Sequence, residues 1–283
     1  MCSSDLKARG YATASVGKWH LGGTNSTPLH HGVDENHGGT ARGQPPSYFS
    51  PYGIPTLPDG PPREFLTDRE SAEALQFIER NRARPFFLYL PHYAVHTPLQ
   101  GKPDVIEKYR QRIRSDVAQS NAVYAALVES VDDSVGRIVA KLQELRLDES
   151  TIVVFTSDNG GLVLGQVTSN APLRSGKGSA YEGGVRVPMI VRWPSKARAG
   201  RVDSTPVMTI DIFPTLAELA GFKPGSGSKW DGRSLADLVL GNPMNRELRT
   251  RPLFWHYPHY HPGGAAPYSA ILCDGFKIGR AHV

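Results

Sequence analysis

The segment SVGKWHLGG, at residues 15–23, presents a lysine and a histidine two positions apart, Lys18 and His20. Side chains two residues apart in an extended backbone face the same side, so the ammonium and imidazole groups would point at one place. Such a pair suits an anion whose leaving group needs a proton. The alternative is that Lys18 lies in solvent and His20 caps a loop.

The string SDNGG, at residues 157–161, follows an apolar run and contains Asp158 and Asn159. A carboxylate beside an amide oxygen suits a hard cation such as Ca²⁺ or Mg²⁺. Calcium takes about six to eight oxygen ligands, so these two residues supply only part of a site. Because Asp-Asn-Gly is also a common turn string, a plain turn is the alternative.

Two other segments carry candidate groups. His96 follows an apolar run and precedes a proline turn, with His92 as its neighbour. Lys177 lies between glycines, which allow the backbone to approach a ligand closely, and Arg174 adds a second cation nearby. The alternatives are a structural histidine in the first segment and a mobile surface loop in the second.

Patterns of apolar residues predict the elements that hold these side chains. The predicted strands are a short one within 11–20 and apolar ones at 86–90, 151–161 and 187–194. Three helices are predicted. The first starts with a capping box at Thr67 and is ended by Pro85, the second spans about 115–145, and the third spans 211–221 and ends at a glycine.

Strands that alternate with helices imply a largely parallel or mixed sheet covered on both faces. Ligands gather beyond the carboxyl ends of the strands in such sheets, which is where the candidate residues lie. The segment 21–62, rich in Gly, Pro, His and Asn, is predicted to be a long, irregular surface segment, and such segments are often functional. The turn-rich part after Gly221 is expected to form a small C-terminal subdomain.

The composition narrows the class of protein. The chain has 283 residues, 39% hydrophobic and 21% charged, which is typical of a globular protein. Its net charge of +5 comes from scattered Lys and Arg residues, without the basic block and aromatics of a nucleic-acid binder. No apolar run reaches the roughly 20 residues of a membrane span. With only Cys2 and Cys273, a disulfide framework is excluded.

Taken together, five segments in this order resemble the sulfatase family of the alkaline-phosphatase-like superfamily: GKWHLG, HYAVHTP, FTSDNGG, GKGSAYEGGVRVP and DIFPTLAELAG. The resemblance runs from about Gly10 to Phe276. It implies an α/β fold with an alkaline-phosphatase-like mixed sheet flanked by helices and a small C-terminal α+β subdomain. The catalytic core would occupy 7–221 and the subdomain 222–277.

The resemblance also implies catalytic roles. Lys18 and Lys177 would bind the sulfate oxygens, and His20 would contact the hydrate of a catalytic formylglycine. His96 would lie near the sulfate ester and help to protonate the leaving oxygen. Asp158 and Asn159 would be two of the ligands of a Ca²⁺ ion, with Mg²⁺ the less expected metal.

Further substrate contacts are expected from Arg174 and from the tail segment LFWHYPHYHPGG. That segment resembles one that approaches the substrate in bacterial members, which draws attention to His256, His259 and His261, and to His259 as a substrate-binding residue. A plain aromatic-rich loop is the alternative for this tail.

Two family features are absent from the sequence. There is no Cys-x-Pro-x-Arg or Ser-x-Pro-x-Arg string, whose first residue becomes formylglycine, and no pair of N-terminal aspartates to complete the Ca²⁺ site. Both precede the position of GKWHLG in the family, so we expect a truncated chain that is inactive as given. Residues 1–6 and 278–283 match translated sequencing adapter, and we expect them to be non-native.

The expected activity is hydrolysis of a sulfate monoester, with a sulfated carbohydrate as the first expected substrate and an aryl sulfate as the second. The resemblance implies a maturation partner, either a formylglycine-generating enzyme or an anaerobic sulfatase-maturating enzyme, and a periplasmic or secreted location. The alternatives are a phosphate or phosphonate ester hydrolase of the same superfamily and a non-catalytic binder of sulfated glycans. An Asp-Asn pair, in place of an Asp-His pair, favours the sulfatase.

Overall fold

The computed structural model describes residues 3–114, 116–222, 229–242, 246–261 and 266–281. It divides into two compact units, Met1–Asp148 and Glu149–Val283. The division into a core at 7–221 and a subdomain at 222–277 stays a prediction. Of the end segments expected to be non-native, residues 1–2 and 282–283 lie outside the described residues.

The first unit contains a parallel sheet on which one helix packs. Its helices are α1 (Ser3–Lys7), α2 (Leu66–Arg80), α3 (Pro103–Arg110) and α4 (Ala122–Glu144), and its strands are β1 (Ala12–Val16), β2 (Glu35–His37) and β3 (Phe86–Tyr89). The strand order is β2–β1–β3, with every pair parallel. Phe77 of α2 packs against Ala12, Ala14 and Val16 of β1, which are small enough to bring the helix close to the sheet.

The helix boundaries of this unit differ from the predicted ones. The predicted capping box at Thr67 is wrong, because α2 begins at Leu66 and Thr67 is buried inside it. The prediction that Pro85 ends the helix is also wrong, because α2 ends at Arg80. The predicted start of the long helix at 115 lies outside the described residues, and α4 begins only at Ala122, where the Asn121 side chain accepts hydrogen bonds from two backbone amides.

The long segment at 21–62 is irregular, as predicted, and most of its residues are exposed or half-buried, but several of its side chains reach the core. Its apolar side chains Tyr48, Tyr52, Ile54 and Leu57 are buried in one cluster with Phe65, Leu66, Tyr93 and Leu127. The aromatic anchors bury large areas and offset the ordering cost of a segment that has little regular structure. A three-residue strand, β2, also forms within it.

The second unit contains two antiparallel sheets. Its strands are β4 (Val153–Thr156), β5 (Met189–Arg192), β6 (Leu253–Tyr257), β7 (Tyr268–Cys273) and β8 (Phe276–Ala281), and its helices are α5 (Glu182–Val185), α6 (Ile212–Leu219), α7 (Ala236–Leu240) and α8 (Arg246–Thr250). β4 pairs with β5, and β7 pairs with β6 and β8. Val154 and Val191 of the first sheet face Leu216 of α6 across an apolar gap.

The predicted strands at 151–161 and 187–194 and the helix at 211–221 are confirmed with shorter bounds. No helix in the described ranges has both the length and the apolar character that a bilayer span requires.

A buried carboxylate joins three segments of the second unit. Asp211, immediately before α6, is 0% exposed. It accepts hydrogen bonds from the backbone amides of Met208, at 2.8 Å, and Arg233, at 2.9 Å. The Arg251 guanidinium binds both of its oxygens, one of them at 2.8 Å. Removal of the carboxylate would leave the half-buried cation and two backbone amides without their partner.

We expect Asp211→Ala to lower the free energy of unfolding by about 3–5 kcal/mol, as for one partner of a buried ion pair. The matched control is Asp203→Ala, which removes a pair with Arg201, 3.1 Å away, in the same unit. Because that pair is partly exposed, its loss should cost at most about 1 kcal/mol. Urea unfolding followed by circular dichroism measures the free energy of unfolding of each variant. Equal decreases in the two variants would contradict the prediction.

Candidate functional site

The carboxyl ends of β1 and β3 are tied together where Lys18 leaves the sheet. The backbone amide of Gly17 donates to the carbonyl of His37, and the amide of Lys18 donates to the carbonyl of Pro91, each at 2.7 Å. Gly17 has a φ of +109°, and a Cβ atom there would overlap the Pro91 carbonyl oxygen. Only glycine fits this close approach of the two chains, which fixes the backbone of Lys18.

His20 lies on a loop that folds back against the segment 40–44. Its amide donates to the carbonyl of Thr40 at 3.0 Å, and its imidazole packs on Gly43, where a Cβ atom would lie 2.5 Å from Cε1. The strand ends at Val16, and His20 has a positive φ of 54°. The premise that Lys18 and His20 share an extended backbone is therefore wrong. The convergence of their side chains stays a prediction.

His92 is a buried structural residue. Its Nδ1 lies 2.6 Å from Glu70 Oε2, and its Nε2 lies 3.0 Å from Ser134 Oγ. Glu70 is itself fully buried on α2, and its other oxygen accepts the amide of Tyr93 at 3.3 Å. With both ring nitrogens engaged, His92 anchors the segment 91–98 to α2 and α4.

His96 is half-buried on that anchored segment. Its amide donates to the carbonyl of Tyr93 at 3.0 Å, and its carbonyl accepts the Tyr48 hydroxyl at 2.9 Å. Burial raises the pKa of the Tyr48 phenol, and the Glu70 carboxylate acts in the same direction, so the phenol stays protonated and able to donate. The ring Nδ1 of His96 lies 3.1 Å from the Thr97 carbonyl, which requires the proton on Nδ1 in the neutral ring.

Asp158 and Asn159 follow β4 in a tight turn. The amide of Gly160 donates to the carbonyl of Gly184 at 3.0 Å, and Ser157 Oγ donates to the carbonyl of Asn159 at 2.8 Å. Neither the Asp158 carboxylate nor the Asn159 side-chain amide bonds to another described residue. Two unpaired hard oxygen donors fit a Ca²⁺ ion as part of a ligand set. Within the described part of the chain, no group of three or more His, Cys, Asp or Glu residues could hold a metal.

Lys177 is tied to the same turn. Its amide donates to the carbonyl of Gly161 at 3.1 Å. Asn170 joins the two loops: its side chain accepts the amide of Gly161 at 3.0 Å and donates to the carbonyls of Gly161, at 2.9 Å, and Ser175, at 3.0 Å. Asn170 is not among the predicted site residues. A polar residue between two glycine-rich loops gives no local signal of that role.

The other predicted substrate contacts differ in whether they lie next to the loop of Lys177. The Arg174 guanidinium stacks on the Tyr181 ring at 3.9 Å. The His261 imidazole lies against Gly178, next to Lys177, whereas His259 packs on Tyr257 with ring centres 5.5 Å apart. His261 is therefore the tail histidine that lies against the lysine loop, and substrate binding by His259 stays a prediction. His256 is engaged within its sheet, where Nδ1 lies 2.8 Å from Ser269 Oγ.

The structure thus gathers the candidates into two sets, one in each unit. Lys18, His20 and His96 belong to the first unit, and Asp158, Asn159 and Lys177 belong to the second. The meeting of the two sets at one hollow stays a prediction.

Comparison with known proteins gives consistent matches. The family model described as Sulfatase matches residues 4–222, and the one described as N-sulphoglucosamine sulphohydrolase, C-terminal, matches residues 176–279. A sulfatase of Formosa agariphila is 39% identical over 230 residues, which are 77% of this chain and 41% of that protein. The N-acetylgalactosamine-6-sulfatase of the dog is 37% identical over 279 residues, and the match covers 89% of this chain and 50% of that protein.

Among solved structures, the complex of Ps i-CgsB with k-i-k-neocarrahexaose superposes with a TM-score of 0.82. Its sequence identity is 30%, and the match covers 98% of this chain and 64% of that one. The chain spans about half the length of the curated relatives it matches.

The close approach at Gly17 gives a testable prediction. We expect Gly17→Ala to destabilise the chain more than Gly10→Ala, a matched change at another residue with positive φ, +81°, where no atom lies within 4 Å. The control should cost about 1–2 kcal/mol for the left-handed backbone alone. The overlap with Pro91 should add about 1–3 kcal/mol. Equal shifts of the urea midpoint would refute the role assigned to this contact.

Proposed function

This chain belongs to the sulfatase family, and from that premise we propose that it serves in the hydrolysis of sulfate monoesters. A sulfated carbohydrate is the proposed substrate, with an aryl sulfate as the second choice. The observation that carries the proposal is the 3.1 Å hydrogen bond between the Lys177 amide and the Gly161 carbonyl. It holds the backbone of Lys177 beside the turn that carries Asp158 and Asn159, so a lysine and two hard oxygen donors leave neighbouring points of the chain.

Lys18 and Lys177 are proposed to bind the sulfate oxygens. Each lysine leaves a backbone that hydrogen bonds hold rigid, to Pro91 in one case and Gly161 in the other. Ammonium groups that extend from these backbones toward the sulfate would stabilise the negative charge that grows in the transition state. Arg174, held against Tyr181, is proposed to add a further contact to the substrate.

His96 is proposed to supply the proton for the departing ester oxygen. Its Nδ1 proton is held by the Thr97 carbonyl, so Nε2 is the atom that carries and releases the second proton. The Tyr48 hydroxyl keeps the backbone of His96 in place during this transfer. His20, on the exposed loop that packs on Gly43, is proposed to accept a proton from the nucleophile later in the cycle.

Two groups outside this chain complete the proposal. Formylglycine would supply the nucleophilic oxygen, and it would form from a Cys or Ser outside this sequence through a formylglycine-generating or anaerobic sulfatase-maturating enzyme. Asp158 and Asn159 would hold Ca²⁺, which neutralises sulfate charge. The chain alone is proposed to be inactive, and the enzyme to be periplasmic or secreted. An upstream gene segment that encodes Cys-x-Pro-x-Arg or Ser-x-Pro-x-Arg is expected.

In the full-length enzyme, we expect Lys177→Ala or His96→Ala to lower the turnover of 4-nitrophenyl sulfate by about 10²–10³, the usual cost of one transition-state contact. Lys196→Ala removes an exposed lysine of the same unit and should leave turnover unchanged. Near-normal turnover of either site variant contradicts its role. Faster hydrolysis of 4-nitrophenyl phosphate than of the sulfate would favour the phosphate esterase instead.

Calcium binding is testable without turnover. We expect Ca²⁺ to raise the thermal unfolding midpoint of the full-length enzyme, because a ligand that binds only the native state stabilises it. Asp158→Ala should greatly reduce this rise. Asp231→Ala, at another exposed aspartate of the second unit, should retain it. An unchanged calcium response in Asp158→Ala would remove that residue from the proposed ligand set.

A further inference from the structure

A concavity of about 330 Å³ opens in the first unit, lined by Arg42, Gly43, Gln44, Pro45 and Pro46. This volume lies at the lower end of the range of small-ligand sites, about 300–1,000 Å³. Two consecutive prolines restrict the backbone of one wall, so little conformational entropy is lost when a ligand binds there.

The wall of this concavity contacts both candidate histidines of the first unit. Gly43 packs on the His20 imidazole, and the preceding Thr40 carbonyl accepts the His20 amide at 3.0 Å. Gln44 Oε1 accepts the hydroxyl of Thr97, the neighbour of His96, at 3.3 Å. A molecule in the concavity would therefore lie next to the position where a substrate meets His20 and His96.

Arg42 gives the concavity a positive charge. Its side chain is exposed, and its guanidinium makes no hydrogen bond or ion pair with any other described residue. Some arginines of the unit are instead paired with carboxylates, as Arg80 is with Glu35 and Arg69 with Glu73. An unpaired guanidinium offers a planar fork of donors that matches the oxygens of a sulfate or a carboxylate.

We propose that this concavity, the Arg42 subsite, holds the sugar next to the one that carries the scissile sulfate. Arg42 binds a sulfate or carboxylate on that neighbouring sugar. The chain would then select polyanionic glycans over glycans with a single charged sugar. This inference rests on the proposed function, because it takes the scissile sulfate to lie beside His20 and His96.

Two disaccharides that differ by one charge test the inference. Kappa-type neocarrabiose carries one sulfate, and iota-type neocarrabiose carries a second sulfate on the other sugar. Calorimetric titration of this chain should give about tenfold tighter binding of the iota-type probe. Arg42→Gln should abolish that preference and leave the affinity for the kappa-type probe unchanged.

Arg82→Gln is the matched control, because Arg82 is an exposed arginine in the turn before β3, at the opposite end of the parallel strands from Lys18. It loses the same charge and should keep the tenfold preference. Equal binding of the two probes by the unaltered chain, or equal effects of the Arg42 and Arg82 variants, overturns the Arg42 subsite.

Lys18→Ala separates this inference from the proposed function. If the scissile sulfate lies at Lys18, this variant should weaken the binding of both probes and keep their ratio. If Lys18→Ala loses binding of both probes and Arg42→Gln has no effect on binding, the Arg42 subsite is rejected and the proposed function stands. Unchanged binding of both probes in Lys18→Ala rejects the proposed placement of the sulfate.

Discussion

The close contact between Gly17 and Pro91 is the constraint on which the first unit depends. It brings the ends of two parallel strands within hydrogen-bond distance, and the Lys18 amide donates to the Pro91 carbonyl across the gap. The segment after Pro91 then carries His92 into its buried bonds with Glu70 and Ser134. The backbone of Lys18 is therefore held by a backbone contact, and the segment that carries His96 is held by the buried side chain of His92.

In the second unit, the candidate site residues are held in place by loops rather than by the ends of parallel strands. There the candidate groups lie on loops, and amide–carbonyl bonds through Asn170 and the glycines connect Lys177 with the turn of Asp158. Asp211 provides the corresponding fixed point for the remainder of the unit. The fold is alkaline-phosphatase-like, as its solved relatives are, and the chain belongs to the sulfatase family.

The sequence predicted the positions of the strands, though with longer bounds, because apolar β-branched runs followed by polar residues are a local signal. Asp158, in the polar end of the predicted strand at 151–161, lies two residues after the end of β4. Partners that are distant in sequence could not be predicted. Nothing near Glu70 indicates that His92 returns to meet it, and the polar composition of 21–62 conceals the burial of Tyr48 and Tyr52. The late start of α4 depended on one cap at Asn121.

Tyr48 has a consequence for how such a protein can diversify. Its hydroxyl donates to the His96 carbonyl, and Tyr48 follows Pro46, the last residue that lines the Arg42 subsite, by two positions. Insertions or deletions between 42 and 48 would therefore alter the proposed Arg42 subsite and displace His96, the proposed proton donor, in the same step. Changes of sugar preference should therefore accumulate in lineages as side-chain replacements on a loop of constant length.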